Sequence, residues 1–326
     1  MIVLTGATGH IGNVLVRELL ARGEKLRLVI PPFDNTTSIE GLEVEKIEGD
    51  VRNIDSLKQA FKGADVVYHL AGIISILGKT DLLHQVNVVG TRNVVEACLQ
   101  SAVPRLVYTS SIHAIEEPAH GTVIDETFPF DPDKVRGEYA KTKAQATLEV
   151  LEGVKNGLDA VVVCPTGVIG PYDFAPSEMG QLILDFARNK VKSGIEGGYD
   201  FVDVRDVVTG HILACEKGRT GEAYILSGEW TTVVDIMLLL EEITGIKAPR
   251  YKAPVWLALV GAVFSPLYYR LTKSKPLFTE YSIRTLASNA MVSRAKAGHE
   301  LGYSPRPIRE AIVDAVQWFK ETGRME

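Results

Sequence analysis

Met1-Ile2-Val3-Leu4-Thr5-Gly6-Ala7-Thr8-Gly9-His10-Ile11-Gly12 opens the chain and decides how the rest is read. The first residues are a short apolar run of strand type. The pattern from Asn13 to Arg22 is helical. Between them stand glycines spaced Gly-x-x-Gly-x-x-Gly, not the commoner Gly-x-Gly-x-x-Gly. A strand that turns sharply on glycines into a helix brings unpaired backbone N–H groups and the positive helix end to one point. That is a cradle for phosphate. Glycines in such turns also serve steric needs alone. It is the placement between strand and helix that favours a nucleotide.

Outward from this turn, strand and helix patterns alternate. Leu26 to Ile30, Glu43 to Ile47, Asp65 to His69, Arg105 to Thr109 and Leu158 to Cys164 read as strands. Ile54 to Phe61, Leu82 to Ser101 and Glu138 to Lys155 read as helices. Such alternation predicts an α/β, Rossmann-like, doubly wound parallel sheet, with ligands beyond the C-terminal strand ends. After about Pro165 the pattern loosens, although Tyr199 to Val202 and Ala223 to Leu226 are strand-like, and Val233 to Ile243 and Pro307 to Phe319 are amphipathic. The expected division is a dinucleotide-binding domain at 1–165 and a smaller, interleaved substrate lobe at 166–326. A strand and helix around 198–217 are expected to return to the first domain.

The 326 residues are ample for a large core, and 46% hydrophobic with 23% charged residues is ordinary for a globular chain. A net charge of −6 with acids and bases interleaved gives no basic stripe for nucleic acid. Cys98, Cys164 and Cys215 are scattered and odd in number, which argues for reduced thiols, no metal site and a cytoplasmic protein. No secretory signal pattern precedes the first strand. Ala253 to Tyr269 is uncharged and contains Pro254 and Pro266. Its length makes a helix lining the substrate lobe the favoured reading over a membrane-dipping segment.

Chemistry enters at Tyr139-Ala140-Lys141-Thr142-Lys143. Residues four apart share a helix face, so the Tyr139 phenol and Lys143 ammonium converge. A neighbouring ammonium stabilises phenolate and would make Tyr139 an acid or base near neutral pH. By itself such a pair is common on surface helices. Thr109-Ser110-Ser111 closes a predicted parallel strand and puts hydroxyls at the ligand crevice, able to hold the carbonyl oxygen that Tyr139 would protonate.

Together, the glycine turn, Thr109-Ser110-Ser111 and the Tyr139/Lys143 pair resemble the extended short-chain dehydrogenase/reductase family (the epimerase/dehydratase superfamily). Gly49-Asp50-Val51, His69-Leu70-Ala71-Gly72, Asn87 with Gly90-Thr91-Arg92-Asn93, Pro165-Thr166-Gly167-Val168-Ile169-Gly170-Pro171 and Leu301-Gly302-Tyr303-Ser304-Pro305-Arg306 extend the likeness over nearly the whole chain. Within the family it is similar to the dihydroflavonol-reductase-like and 3β-hydroxysteroid-dehydrogenase-like branch. The resemblance implies that Gly6, Thr8, Gly9, His10, Ile11 and Gly12 take the pyrophosphate side of NAD or NADP. Asp50 and Val51 would flank the adenine, and Leu70, Ala71, Gly72 and Thr109 would wall the cleft. Pro165, Gly167 and Val168 would lie against the nicotinamide. Ser111 would polarise the substrate, with Ser110 as alternative. Tyr139 would act as acid, and Lys143 would hold the ribose and tune Tyr139. Asn87 would order the long helix or the cofactor, or be satisfied locally. Helices Leu82–Ser101 and Glu138–Lys155 would pair two copies into a homodimer.

The sequence departs from the pattern after strand two, where Pro31-Pro32 replaces the usual acid or arginine. Asp34 follows and leans the choice toward NAD. Ile112-His113 after Ser111, rather than Asp-Glu, disfavours dehydration, and His113 reads as a satisfied loop residue more readily than a pocket residue. Cys164 stands where sugar-nucleotide enzymes often carry arginine, which leaves Arg205 and Arg284 as the phosphate candidates. Apolar Ile73-Ile74-Ser75-Ile76-Leu77 and Leu277-Phe278 suit a hydrophobic substrate. The expected activity is hydride transfer between nicotinamide and a hydrophobic ketone, aldehyde or secondary alcohol. The alternatives are a nucleotide-sugar epimerase and, in another class, a non-catalytic dinucleotide sensor or assembly protein.

Overall fold

The computed structural model describes residues 1–74, 80–259 and 280–325. Its centre is a seven-stranded sheet ordered β10-β6-β5-β4-β1-β2-β3, parallel throughout. These strands are β1 Ile2–Thr5, β2 Leu26–Ile30, β3 Glu45–Glu48, β4 Val66–His69, β5 Arg105–Thr109, β6 Ala160–Pro165 and β10 Ala223–Leu226. Helices α1 (His10–Ala21), α2 (Ile54–Phe61), α3 (Thr80–His84), α4 (Gly90–Gln100) and α5 (Glu138–Lys155) make the crossovers. The inner strands are buried on both faces, so Ala160 to Cys164 reads as a continuous apolar run. The order reverses at β1, which places a crevice beyond the ends of β1 and β4.

The long helix expected from Leu82 to Ser101 is one path with an interruption. A π turn at Gln85–Val89 joins α3 to α4 and carries Asn87 inward.

Beyond residue 165, β7 (Gly167–Ile169), β9 (Gly198–Asp203) and β11 (Glu229–Thr232) form a second sheet ordered β11-β9-β7. The expected return of the 198–217 region to the large sheet is therefore corrected in part. Its strand, β9, is the middle of the small sheet, with both edges paired, and the helices Val204–Lys217, Glu280–Leu286 and Ile308–Glu321 pack against it, so it is buried along its whole length. Its helix α7 (Val204–Lys217) does pack on the large sheet beside α1, and the strand that returns is β10. Also in this half are α6 (Glu178–Ala187), β8 (Gly194–Ile195), α8 (Val233–Thr244), β12 (Lys252–Ala253), helical residues 255–259 (α9), α10 (Glu280–Leu286) and α11 (Ile308–Glu321). Among the described residues no helix is long and apolar enough to cross a membrane. Ser75 to Leu77, Leu277-Phe278 and most of the uncharged run after Leu259 lie outside the described residues.

Candidate active site

The opening turn is built as its spacing implies. Gly6 takes φ +74°, and a side chain there would strike the Ala71 backbone at 2.5 Å. A Cβ on Gly12 would meet the Gly6 carbonyl oxygen at 2.1 Å. Gly9 differs: a Cβ there would meet the Gly6 oxygen at 3.5 Å, an ordinary van der Waals contact, and clash with nothing. Two glycines thus serve the turn's own packing, and the third leaves room on the ligand side. Asn13 fixes the geometry from behind, donating to the carbonyls of Gly9 (2.8 Å), His10 (3.0 Å) and Tyr172 (3.1 Å). His10 donates to the Pro171 carbonyl at 2.9 Å. No side chain caps the first turn of α1 and no acid lies in it. A small cradle of free N–H groups at a 12-residue helix's positive end fits a dinucleotide pyrophosphate.

From this cradle a cavity of about 420 Å³ runs along the strand ends to the second lobe. Its walls include Gly6, Gly9, His10, Ile11, Gly12, Leu70, Gly72, Thr109, Ser110, Ser111, Tyr139, Lys143, Pro165, Gly167 and Val168. Thr8, Asp34, Asp50, Val51 and Ala71 stand outside that wall. Thr8 donates to the Asp34 carboxylate at 2.7 Å, so the acid after strand two is drawn back to the glycine turn. The Asp50 carboxylate is taken by Arg52, which holds it below its usual range. Val51 is a core residue whose carbonyl accepts from Asn93 at 2.9 Å. Ala71 packs behind Gly6.

The two serines separate by their hydrogen bonds. Thr147 gives its proton to the Lys143 carbonyl, so Ser110 donates to Thr147 at 2.7 Å and faces into α5. Ser111 caps the short 3-10 turn Ile112–Ala114, accepting from the His113 N–H at 3.2 Å. Its hydroxyl stands beside Tyr139. Lys143 is 5% exposed and donates to the Thr109 carbonyl at 2.7 Å, with its ammonium 5.2 Å from the centre of the Tyr108 ring. Burial pulls its pKa down to about 8.

The expected depression of the Tyr139 pKa by Lys143 does not hold in this arrangement. Burial raises the phenol to about 12, and only the hydrogen bond with Ser111 opposes that rise. The physical reason is that the ammonium is directed to the end of β5. Thr109 is fixed in turn by His211 of α7. The Val207 carbonyl accepts from Nδ1–H, leaving Nε2 to accept from the Thr109 hydroxyl at 2.8 Å. Asn87 accepts from the Ile73 N–H at 2.8 Å and donates to the Ile73 carbonyl (3.0 Å) and Thr142 (3.1 Å). It orders the loop after β4 and ties it to the helix of Tyr139.

His113, expected as a satisfied loop residue, is satisfied, with Nε2 hydrogen-bonded to the Tyr199 hydroxyl at 3.2 Å, but it also lies in the cavity. Its ring stacks on Tyr199 at 5.7 Å and stands edge-on to Tyr139 at 6.4 Å. Burial pulls its pKa down to about 4. The far wall is Glu178, Met179, Leu182, Tyr199, Phe201, Val233, Thr285 and Leu286. Sequence reading singled out none of them. They come from four separate elements, with no local motif to mark them. Arg205 is not in this wall; it pairs with Asp203 and Asp314, both at 2.6 Å.

A glycine cradle at one end of a crevice and a Ser/Tyr/Lys set at its middle define an NAD(P)-dependent oxidoreductase of the extended short-chain type. The profile of the NAD dependent epimerase/dehydratase family matches residues 2–227, and the chain belongs to that family. It is 39% identical over 326 residues to sterol demethylase protein B of Methylococcus capsulatus, covering 98% of each chain. It is 31% identical over 355 residues to 3β-hydroxysteroid-dehydrogenase/decarboxylase isoform 1 of Arabidopsis thaliana, covering 97% of this chain and 79% of that one. The crystal structure of gox2253 superposes with a TM-score of 0.87 at 35% identity, covering 100% of this chain and 99% of that one.

Proposed function

We propose that the chain moves hydride between a nicotinamide and a hydrophobic secondary alcohol or ketone of alicyclic, sterol-like shape. One observation carries this reading: beyond Ser111 and Tyr139 the cavity walls are mainly apolar. Among the described residues lining it, Lys143 and Glu178 are the only Lys, Arg, Asp or Glu side chains. A nucleotide-sugar diphosphate wants arginine or lysine at its phosphates. Among the described residues, the substrate end of this cavity offers it a carboxylate and no arginine. The names of the sterol-directed relatives support the same class. The apolar wall also favours an enzyme over a dinucleotide sensor, because it continues the crevice past the cofactor's reacting end.

In this reading the cradle of Gly6, Gly9 and Gly12 holds the pyrophosphate, and Pro165 to Val168 back the nicotinamide. The cofactor supplies or accepts hydride. Ser111 donates to the substrate oxygen, and Tyr139 gives or takes the proton on that oxygen. Lys143 holds the ribose and, once turned from the Thr109 carbonyl toward it, lowers the phenol from its raised value. Asp34, held by Thr8 beside the turn, takes the ribose hydroxyls and favours NAD over NADP.

The test is reduced-cofactor absorbance with a panel of sterol-type ketones, acyclic ketones and sugar nucleotides. Turnover is expected with the first group. Tyr139→Phe should lower kcat at least a hundredfold while leaving cofactor affinity within a few-fold. Exchange of sugar-nucleotide epimers without net cofactor turnover would overturn the reading.

A further inference from the structure

We propose that the face formed by Tyr251, Lys252, Trp256 and Leu257 docks on an anionic lipid bilayer. The segment is anchored first by β12, which pairs with β8, and Ala253 is buried there. In α9 (residues 255–259), Val255, Ala258 and Leu259 pack against Ile195 and Ile283. A surface helix so anchored should turn polar residues outward. This one turns out Trp256, 66% exposed, and Leu257, 38% exposed, beside Tyr251 at 59%. The helix is apolar on both faces, yet only one is covered by the described residues.

Charge identifies what fits the other face. From Ile243 to Thr279 the sequence carries six Lys or Arg (Lys247, Arg250 and Lys252, with Arg270, Lys273 and Lys275 outside the described residues) and no Asp or Glu, in a protein whose net charge is −6. The exposed Glu196, whose N–H donates to the Ala253 carbonyl, is the acid that borders this segment. Lys252 is part of the face and exposed, Lys247 is exposed five residues before it in the chain, and Arg250 pairs with Glu241 at 2.8 Å. Two copies of this face would set like charges against each other. An anionic bilayer complements both features: indole and phenol rings settle at the headgroup level, and lysines meet the surface potential. Ile283, under the docking helix, belongs to α10. The same helix contributes Ser282, Thr285 and Leu286 to the cavity, so a docked molecule turns the substrate lobe to the lipid.

The test is sedimentation of the full chain with vesicles of phosphatidylcholine alone and of equimolar phosphatidylcholine and phosphatidylglycerol. It requires no turnover, so its outcome and that of the substrate reading are independent. Binding is expected on the anionic vesicles, weakening as salt is raised. It should weaken about fivefold for each lysine removed in Lys247→Gln and Lys252→Gln. Trp256→Ser should also weaken it, with the thermal midpoint and cofactor binding of each variant unchanged. The proposal is overturned by binding to neither vesicle, by binding indifferent to salt and to these substitutions, or by self-association abolished in Trp256→Ser without any vesicle binding.

Discussion

At the scale of single residues, the three glycines of the opening turn have different work. Gly12 cannot take a methyl group without displacing the Gly6 carbonyl, because the Cβ would lie 2.1 Å from that oxygen. Gly12→Ala should therefore destabilise the fold by about 1–3 kcal/mol or more, as overpacking does, and lower the thermal midpoint. Gly9 has space for the methyl on the side where the pyrophosphate is assigned. Gly9→Ala should melt near the wild-type temperature yet bind NADH roughly tenfold more weakly or worse, as titrated by fluorescence. Equal loss of stability in both variants would contradict this division. Asp34 belongs to the same scale. Removing a carboxylate that binds ribose hydroxyls should weaken NAD by roughly tenfold or more, the worth of a charged hydrogen bond. It should hardly alter NADP, so Asp34→Ala is read from the ratio of the two dissociation constants.

Elements bring these residues together, and they show what sequence can and cannot reveal. Tyr139 and Lys143 share a face of α5, which their spacing already implied, and Ser111 follows β5 as the strand pattern implied. Asn87 was legible as a motif residue, but its task was not. The π turn at Gln85–Val89 places it against Ile73, fourteen residues away, and Thr142, fifty-five away. The far wall was not legible at all. Tyr199 sits on a strand like any other, and only tertiary packing stacks it on His113. Lys143 shows a related limit: spacing set its helix face, while the β5 carbonyl set where its ammonium points. An element-scale prediction follows from Asn87. Its replacement by Ala leaves the part-buried Ile73 N–H and carbonyl without their partner, at about 1 kcal/mol each, the low end of the cost for a fully buried group. Asn87→Ala should lower the denaturation midpoint and reduce kcat by loosening the Tyr139 helix. An unchanged midpoint would mean that Ile73 finds water or another partner at no cost.

For the whole molecule, the strand ends are held by neutral histidines: His69, which the sequence marks as a motif residue without a task, and His211, which it does not mark. His69, on β4, donates from Nε2 to Thr91 at 3.0 Å and accepts from Thr5 of β1 at 2.7 Å. His211 joins α7 to β5 through Thr109. Both rings are fully buried, and burial holds their pKa values down, to about 3 and about 4 respectively. Each must accept a hydrogen bond at one nitrogen, so protonation would break a link between elements as well as bury a charge. The sign follows from proton binding. Below the ordinary histidine value of 6.5, the unfolded chain takes protons that the folded chain refuses. Stability therefore falls as pH falls, by up to about 1.4 kcal/mol per pH unit for each ring, until the folded rings titrate. Asp200 and Glu126, whose carboxyls burial pushes up, act in the opposite sense at the acid end. The window from pH 6.5 to 5 is thus where the histidines dominate. Urea unfolding across that window should show the loss, and because burial holds His113 down in the same way, His69→Gln, which cannot titrate, should remove about a third of the slope due to the three rings. A variant with the wild-type slope would show that His69 is not among the groups linking acid to unfolding.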